Sequence, residues 1–339
     1  MTSLKLPTGR AMRLSARLVI AGLTMVAGGS VASCSAAPGV AYAGGTARPS
    51  PVVSTATAGM PTGGQAASST APAGPHIEVA GAPRGVKAKA GILADAATGQ
   101  VLWARAGYAV RPIASLTKVM TALVVIRAGS LDRKIKIPKS VLNYVAYYGG
   151  NGAGLVPGQV VTADELLHAL LLVSAADAAY TLAASYGPGM DAFVAKMNAT
   201  ARQLGLTHTR FTSPDGLPYP TAYSTYSTPA EMLRLGEVAM QFPAFRSIVD
   251  ERFFSMKKGQ GHGSNWWGNS NELIGRYHGA VGIKTGFTVV AGHCLLFEAV
   301  RGRRALIGVV LGSPLTGPGA GAQDAARILN WGFSLKQSA

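Results

Sequence analysis

Apolar and polar positions divide the chain into strands at both ends of its folded part and helices between them. Residues 86–105 read as a strand, a turn at Asp95-Ala-Ala-Thr-Gly-Gln100 in which Gly99 supplies the turn conformation, and a second strand from Val101. A helix opening at Ser115 runs through Ile126 and stops at Gly129. It is apolar almost all round, which places it in the centre of the fold. Residues 144–154 hold three tyrosines and four glycines and read as a loop. Thr162-Ala-Asp-Glu165 forms a capping box for a helix to Leu172, and after a break at 173–177 helical periodicity returns over 178–185 and 190–204. Ser213-Pro-Asp-Gly216 is a turn. Thr228-Pro-Ala-Glu231 opens another helix, with Pro229 at its first position and Glu231 placed for a box. Three apolar strands follow, at 282–286, 293–300 and 306–311, the last two joined by the basic turn 301–304. A helix over 322–331 closes the pattern. Strands from both ends with helices between them imply an α/β (α+β) fold, one mixed sheet built from the two termini with helices packed on it.

The front of the chain has a different composition. Residues 1–43 carry Lys5, Arg10, Arg13 and Arg17, then an apolar run from Leu18 to Ala27, then small residues, the pattern of a secretory signal too short to remain as a membrane span. Ala41-Tyr42-Ala43 suits cleavage before Gly44. Val31-Ala32-Ser33-Cys34 resembles a bacterial lipobox that would leave a lipidated Cys34, and its nearness to the apolar run favours it. Residues 44–85 are Ala, Pro, Gly, Ser and Thr with almost no charge, a flexible tether to a surface. Residues 86–339 form the folded domain.

The net charge of +16 includes four positive charges in the front segment, and the rest are spread without a dense basic run. In an exported protein such charge points to anionic envelope polymers or a membrane surface, and the absence of any binding motif excludes nucleic acid. If Cys34 is processed, Cys294 stands alone in an apolar run as a core thiol, so no disulfide is expected. The six histidines show no metal spacing and no acidic partners in register, which leaves no metal and no cofactor to propose. Trp266 and Trp267 read as core residues.

The candidate chemistry starts at Ser115 and Lys118, three residues apart and therefore on one helix face. A serine hydroxyl attacks only if a base takes its proton, and a lysine is that base only where its neutral amine is accessible. The positive end of the helix works in that direction by disfavouring a second cation. Ser174 at a helix break and Lys284-Thr285-Gly286 in a strand need the same explanation.

In order and surroundings these three features resemble the motifs of penicillin-binding proteins and serine β-lactamases. The flanking text, Asp95-x-x-Thr-Gly-x-Val-Leu102, Ala114-Ser-Leu-Thr-Lys-Val-Met-Thr-Ala122, Pro214-Asp-Gly-Leu217 and Gly282-Ile-Lys-Thr-Gly-Phe-Thr288, is similar to the low-molecular-mass D-alanyl-D-alanine carboxypeptidases over about residues 86–335. That resemblance implies a β-lactamase-like fold and a serine peptidase acting on peptidoglycan stem peptides and acylated by β-lactam antibiotics. Ser115 would be the nucleophile, Lys118 its base and Ser174 the second-motif hydroxyl. Lys284 and Thr285 would hold the substrate carboxylate. The N–H groups of Ser115 and Phe287 would bind the oxyanion, and Gly286 would admit the substrate backbone.

The chain departs from this family at Ser174-Ala175-Ala176-Asp177, where the pattern has Ser-x-Asn-Asp. The amide missing at Ala176 positions the lysine and binds a substrate carbonyl in the family. Loss of one such donor costs about two to three decades in rate. Asn151 is the nearest candidate to replace it. Residues 316–321 also lack the arginine that some relatives place near the substrate carboxylate. A weakened carboxypeptidase is therefore the leading expectation, a silent protein binding muropeptides or a partner in the same cleft the second, and a β-lactamase the last, since no deacylating Glu stands between Ser174 and Glu231.

Overall fold

In a computed structural model, residues 81–259, 263–317 and 319–336 are described. The signal, Cys34, nearly all of the tether, His76 and His262 lie outside them. Strands β1 (Ala90–Asp95) and β2 (Val101–Arg105) form the first hairpin, and the short β3 (Arg111–Pro112) leads through a 3₁₀ turn at Ala114–Thr117 into α1 (Lys118–Ala128). Next come β4 (Lys134–Lys136), α2 (Ser140–Tyr148), β5 (Val160–Thr162), α3 (Ala163–Leu172), α4 (Ala176–Tyr186) and α5 (Met190–Gln203). Then follow β6 (Tyr226–Ser227), α6 (Pro229–Met240), α7 (Pro243–Asp250), β7 (Phe253–Met256) and β8 (Asn265–Gly268). The chain closes with β9 (Ala280–Thr288), β10 (Gly292–Arg301), β11 (Arg304–Ser313) and α8 (Ala320–Ser334).

The main sheet is antiparallel with the order β2-β1-β11-β10-β9, so the two ends of the folded chain pair directly, Ala90 opposite Leu311. Period-two alternation sends Leu93, Leu295, Phe297, Leu306 and Val310 toward Ile328 and Leu329 of α8, and Ile92, Leu296, Ile307, Val309 and Leu311 toward the helices on the other face. Both faces are buried, which is why the last strands read as continuous apolar runs.

On the helical side α1 is buried at every position from Lys118 to Val125 and touches α3, α4, α5, α6 and α7. Its apolar circumference is thus satisfied by neighbours on all sides. Thr162 caps α3 with the reciprocal box the sequence predicts. Thr228 caps α6, but the Glu231 carboxylate leaves its own helix end. It accepts from the backbone N–H of His208 at 2.8 Å and from Thr209, and lies 3.0 Å from His208 Nδ1.

Two expectations need correction. Residues 140–148 are helical, so the tyrosines sit on α2 and only Gly149 onward is loop. Tyr144 packs on Tyr148 and Tyr180 with ring centroids 4.7 and 4.6 Å apart, a cluster that propensity alone does not reveal. Two histidines also have acidic partners: His208 as above, and buried His168, which lies 3.5 Å from both Asp164 and Glu251. Of the tryptophans, Trp267 is core and Trp266 is exposed.

The chain ends are held together by Asp324, fully buried on α8, which accepts from the Lys87 N–H at 2.9 Å and from Ser313 Oγ at 2.7 Å and lies 3.2 Å from Arg327. Asp324→Ala leaves the buried Ser313 hydroxyl and the part-buried Lys87 N–H without this partner, and urea denaturation should show a loss of about 1–3 kcal/mol.

Candidate active site

Ser115 lies in the 3₁₀ turn and Lys118 opens α1, so the tight turn brings Lys118 Nζ to 3.0 Å from Ser115 Oγ. Lys118 is 1% exposed. Its second partner is the backbone carbonyl of Asp215, 3.0 Å away and 97 residues on in sequence. The segment carrying that carbonyl is fixed from every side. Thr121 Oγ1 donates to Pro214 O at 2.6 Å, and Asp215 accepts from Ser213 Oγ at 2.8 Å and from the Tyr144 hydroxyl at 2.7 Å. Gly216 has a left-handed φ of 79°, and a Cβ there would overlap the Ala114 carbonyl. The turn seen in the sequence is therefore the cradle of the lysine.

Burial lowers the Lys118 pKa to about 8, and the charges of Asp215 and Asp177 keep it from falling further. At pH 7 about one molecule in ten then carries the neutral amine, against about one in three thousand for an ordinary lysine. Burial and the negative charge of Asp215 push the Tyr144 phenol far above its usual range, so Tyr144 stays a donor to Asp215.

Ser174 sits in the break between α3 and α4 with a φ of 61°, a left-handed conformation rare for a residue with a Cβ and of the kind found at sites that hold a side chain in place. It lines the same cavity as Ser115 and Lys118, a cleft of about 490 Å³ that also takes in Asn151, Thr285 and Phe287. Lys284 and Thr285 come from β9, the edge strand of the sheet, as the motif requires. Lys284 is 1% exposed, and its Nζ donates to the Thr285 carbonyl at 3.0 Å. Burial first, and then the charge of Lys118, hold its pKa well below the lysine range. Thr285 Oγ1 is 2.9 Å from Ser270 Oγ, and the Phe287 ring packs at 4.7 Å on His293. Gly286 has a requirement the sequence does not show. A Cβ there would stand 2.9 Å from Ile113 O and 3.2 Å from Ser115 N, so glycine is what lets β9 lie against the nucleophile turn.

At Ala176 the missing side chain is replaced by backbone. The Ala176 N–H donates to Asn151 O at 2.6 Å, and a carbon added to Gly150 would lie only 2.5 Å from Ala176 Cβ. The segment is further pinned by Asp177, whose carboxylate accepts from the Ala153 N–H at 2.9 Å and the Ala178 N–H at 2.8 Å. Trp267 Nε1 adds a bond to Ala153 O at 3.0 Å. Leu217, which closes the Pro214-Asp-Gly-Leu217 motif, and Ser270 of Asn269-Ser-Asn271 also line the cleft, together with Glu272, which no motif announced. Tyr144 and the carbonyl of Asp215 act from behind the cleft, where only the Pro-Asp-Gly-Leu text hinted at them. Among the described residues no cluster of His, Cys, Asp or Glu could hold a metal ion.

A serine and a buried lysine on one turn beside a Lys-Thr-Gly edge strand, in a fold of an antiparallel sheet and a helical cluster, define the class of active-site-serine proteins that includes penicillin-binding proteins and β-lactamases. The D-alanyl-D-alanine carboxypeptidase family pattern matches residues 77–314, and this chain belongs to that family. It is 38% identical to a D-alanyl-D-alanine carboxypeptidase of a Streptomyces strain, over 74% of this chain and 88% of that one. A carboxypeptidase of Mycobacterium tuberculosis is 39% identical, over 73% of this chain and 83% of its own. The crystal structure of a Streptomyces DD-transpeptidase superposes with a TM-score of 0.69 at 37% identity, covering 74% of this chain and 98% of that one.

Because Gly150 occupies the space beside residue 176, Ala176→Asn should displace the 149–152 segment and cost about 1–3 kcal/mol, seen as a lower melting temperature. An unchanged melting temperature would show that the segment yields freely.

Proposed function

We propose that this chain is a serine-type D-Ala-D-Ala carboxypeptidase acting on peptidoglycan stem peptides, and the observation that carries the reading is the 3.0 Å contact of Ser115 Oγ with a lysine amine whose pKa is about 8. The neutral amine takes the hydroxyl proton as Ser115 attacks the carbonyl of the terminal peptide bond. The N–H groups of Ser115 and Phe287 receive the oxyanion, and Lys118, now charged, returns its proton to the departing D-alanine nitrogen. Water then hydrolyses the ester, with the regenerated amine as base. Ser174 connects the lysine to the leaving nitrogen, and Thr285 with Lys284 receives the terminal carboxylate, whose charge favours the protonated form of Lys284. β-Lactams enter the same acylation step.

Asn151 supplies the amide that position 176 lacks. Its backbone is tied to the Ala176 N–H and the residue lines the cleft beside Ser174. The organisation that suits this activity is an export signal over residues 1–43, released before Gly44 or lipidated at Cys34, a tether over 44–85 and a catalytic domain over 86–339, working outside the cytoplasm beside anionic envelope polymers or the membrane surface. No helix among the described residues is long and apolar enough to cross a membrane. Ala176 favours one second reading, a cleft that binds muropeptides without turning them over.

Fluorescent penicillin should label the wild type and not Ser115→Ala, and Asn151→Ala should lower the labelling rate by about one to two decades. Wild type that binds a stem peptide without labelling or turnover would establish the second reading. The rate constant for acylation should rise about tenfold per pH unit up to about pH 8 and level off above it, since the reactive form is the deprotonated amine. A profile flat from pH 6 to 9 would remove Lys118 as the base.

A further inference from the structure

The hairpin of β7 and β8 has one buried and one naked face. Phe254, Met256 and Trp267 point inward, and Trp267 anchors the hairpin through its bond to Ala153. Outward, Phe253 is 56% exposed and Trp266 65%, and the two rings stack on each other with centroids 5.7 Å apart at an angle of 29°. The pair is held rigidly. The indole lies across Gly268, where an added Cβ would stand only 3.1 Å from it, so the ring has a glycine-sized seat on the strand. Burying either ring inside would have been the ordinary solution, since this hairpin packs its other face on the domain.

Asp250 and Glu251 precede β7, Glu251 lying 3.5 Å from His168, and the charge at the other end of the strand is positive. Lys257 and Lys258 follow β7 directly, and with Lys134 of β4 they line a shallow groove of about 250 Å³. Lys134 and Lys136 are both exposed because the alternation of β4 turns Ile135 inward. The acid in that groove is Glu165, whose carboxylate is committed to the Thr162 N–H and hydroxyl of the capping box. The lysines therefore face solvent without an acidic side chain that neutralises them within the groove.

We propose that this face docks the domain on an anionic lipid bilayer, with Phe253 and Trp266 seated at the level of the headgroups and Lys134, Lys136, Lys257 and Lys258 meeting lipid phosphates. Stacked aromatic side chains prefer the interface between water and hydrocarbon, and lysines beside them add attraction to a negative leaflet that salt screens. A soluble polyanion would account for the lysines and leave the aromatic pair unexplained, so the pair selects the bilayer. The hairpin also carries Trp267, which bonds the loop following Asn151, so docking would hold the cleft at a fixed height above the lipid surface.

The test uses the chain from Gly44 onward, since the core lies within the described residues and the signal would itself bind lipid. Co-sedimentation is measured with vesicles of phosphatidylglycerol and phosphatidylcholine, with pure phosphatidylcholine vesicles, and in the presence of soluble polyphosphate. Binding should require phosphatidylglycerol and weaken with salt. Phe253→Ser with Trp266→Ser, and separately Lys257→Gln with Lys258→Gln, should each lower the partition coefficient by about tenfold or more. Penicillin labelling should be unchanged in both variants and reports that they fold. Should the serine pair fail to label, quenching of tryptophan fluorescence by brominated lipid replaces it, expected in wild type and lost in Trp266→Phe. Undiminished sedimentation in both double variants, quenching that survives Trp266→Phe, or binding that polyphosphate abolishes while the aromatic substitutions leave it intact would each overturn the proposal, the last in favour of a polyanion.

Discussion

A lysine amine stripped of water governs the construction of this domain. Lys118 opens a helix whose first eight residues are all buried, and its Nζ has two hydrogen-bond acceptors, the Ser115 hydroxyl and the Asp215 carbonyl. Left in bulk water the same amine would be almost wholly protonated at neutral pH and useless as a base. Taken out of water without acceptors it would be too costly to keep. The surrounding structure balances these limits with two buried carboxylates, Asp177 and Asp215, that temper the desolvation. Asp215 is kept in place by Ser213 of its own turn and by the distant Tyr144, and Asp177 by the backbone of the loop it pins.

The second buried lysine is also held well below the usual lysine range, but with different neighbours. Lys284 lies on the edge strand with its amine turned onto its own strand's Thr285 carbonyl, and it feels Lys118 as a like charge. A carboxylate entering the cleft would change both conditions at once. Both lysines are buried, so burial alone does not distinguish them. Asp215 and Asp177 hold the Lys118 pKa up against desolvation, whereas the charge of Lys118 adds to desolvation at Lys284.

How much of this was legible depends on how local the cause was. The capping box at Thr162, the stop at Gly129, the apolar strands at the chain ends and the central α1 follow from residues within a few positions of each other, and the sheet order follows from strands at the two termini. Ser115, Lys118, Ser174 and Thr285, which line one cleft, were legible as text through the motifs whose resemblance singled them out. The cradle was not. The carbonyl of Asp215 carries no side-chain signature, and Tyr144 was hidden in a segment whose glycines masked a helix. Glu231 shows the opposite failure: the local pattern for a box was present, and His208 and Thr209 won its carboxylate instead. At Ala176 the sequence shows only a missing amide, and the close approach of Gly150 to its Cβ has no local signature.

The pairing of β1 with β11 has a consequence for when the cleft can exist at all. The helices around Lys118 can condense from neighbouring sequence, but the strand bearing Lys284 is joined to the rest of the sheet through β10 and β11, and β11 must find β1 across more than two hundred residues. Closing so long a loop is slow, and it delays the last contacts to the end of folding. Until β1 and β11 have paired, the serine and the lysine can lie side by side while the strand that faces them is still unplaced, so the cleft is a product of the domain's long-range closure and not of its helices.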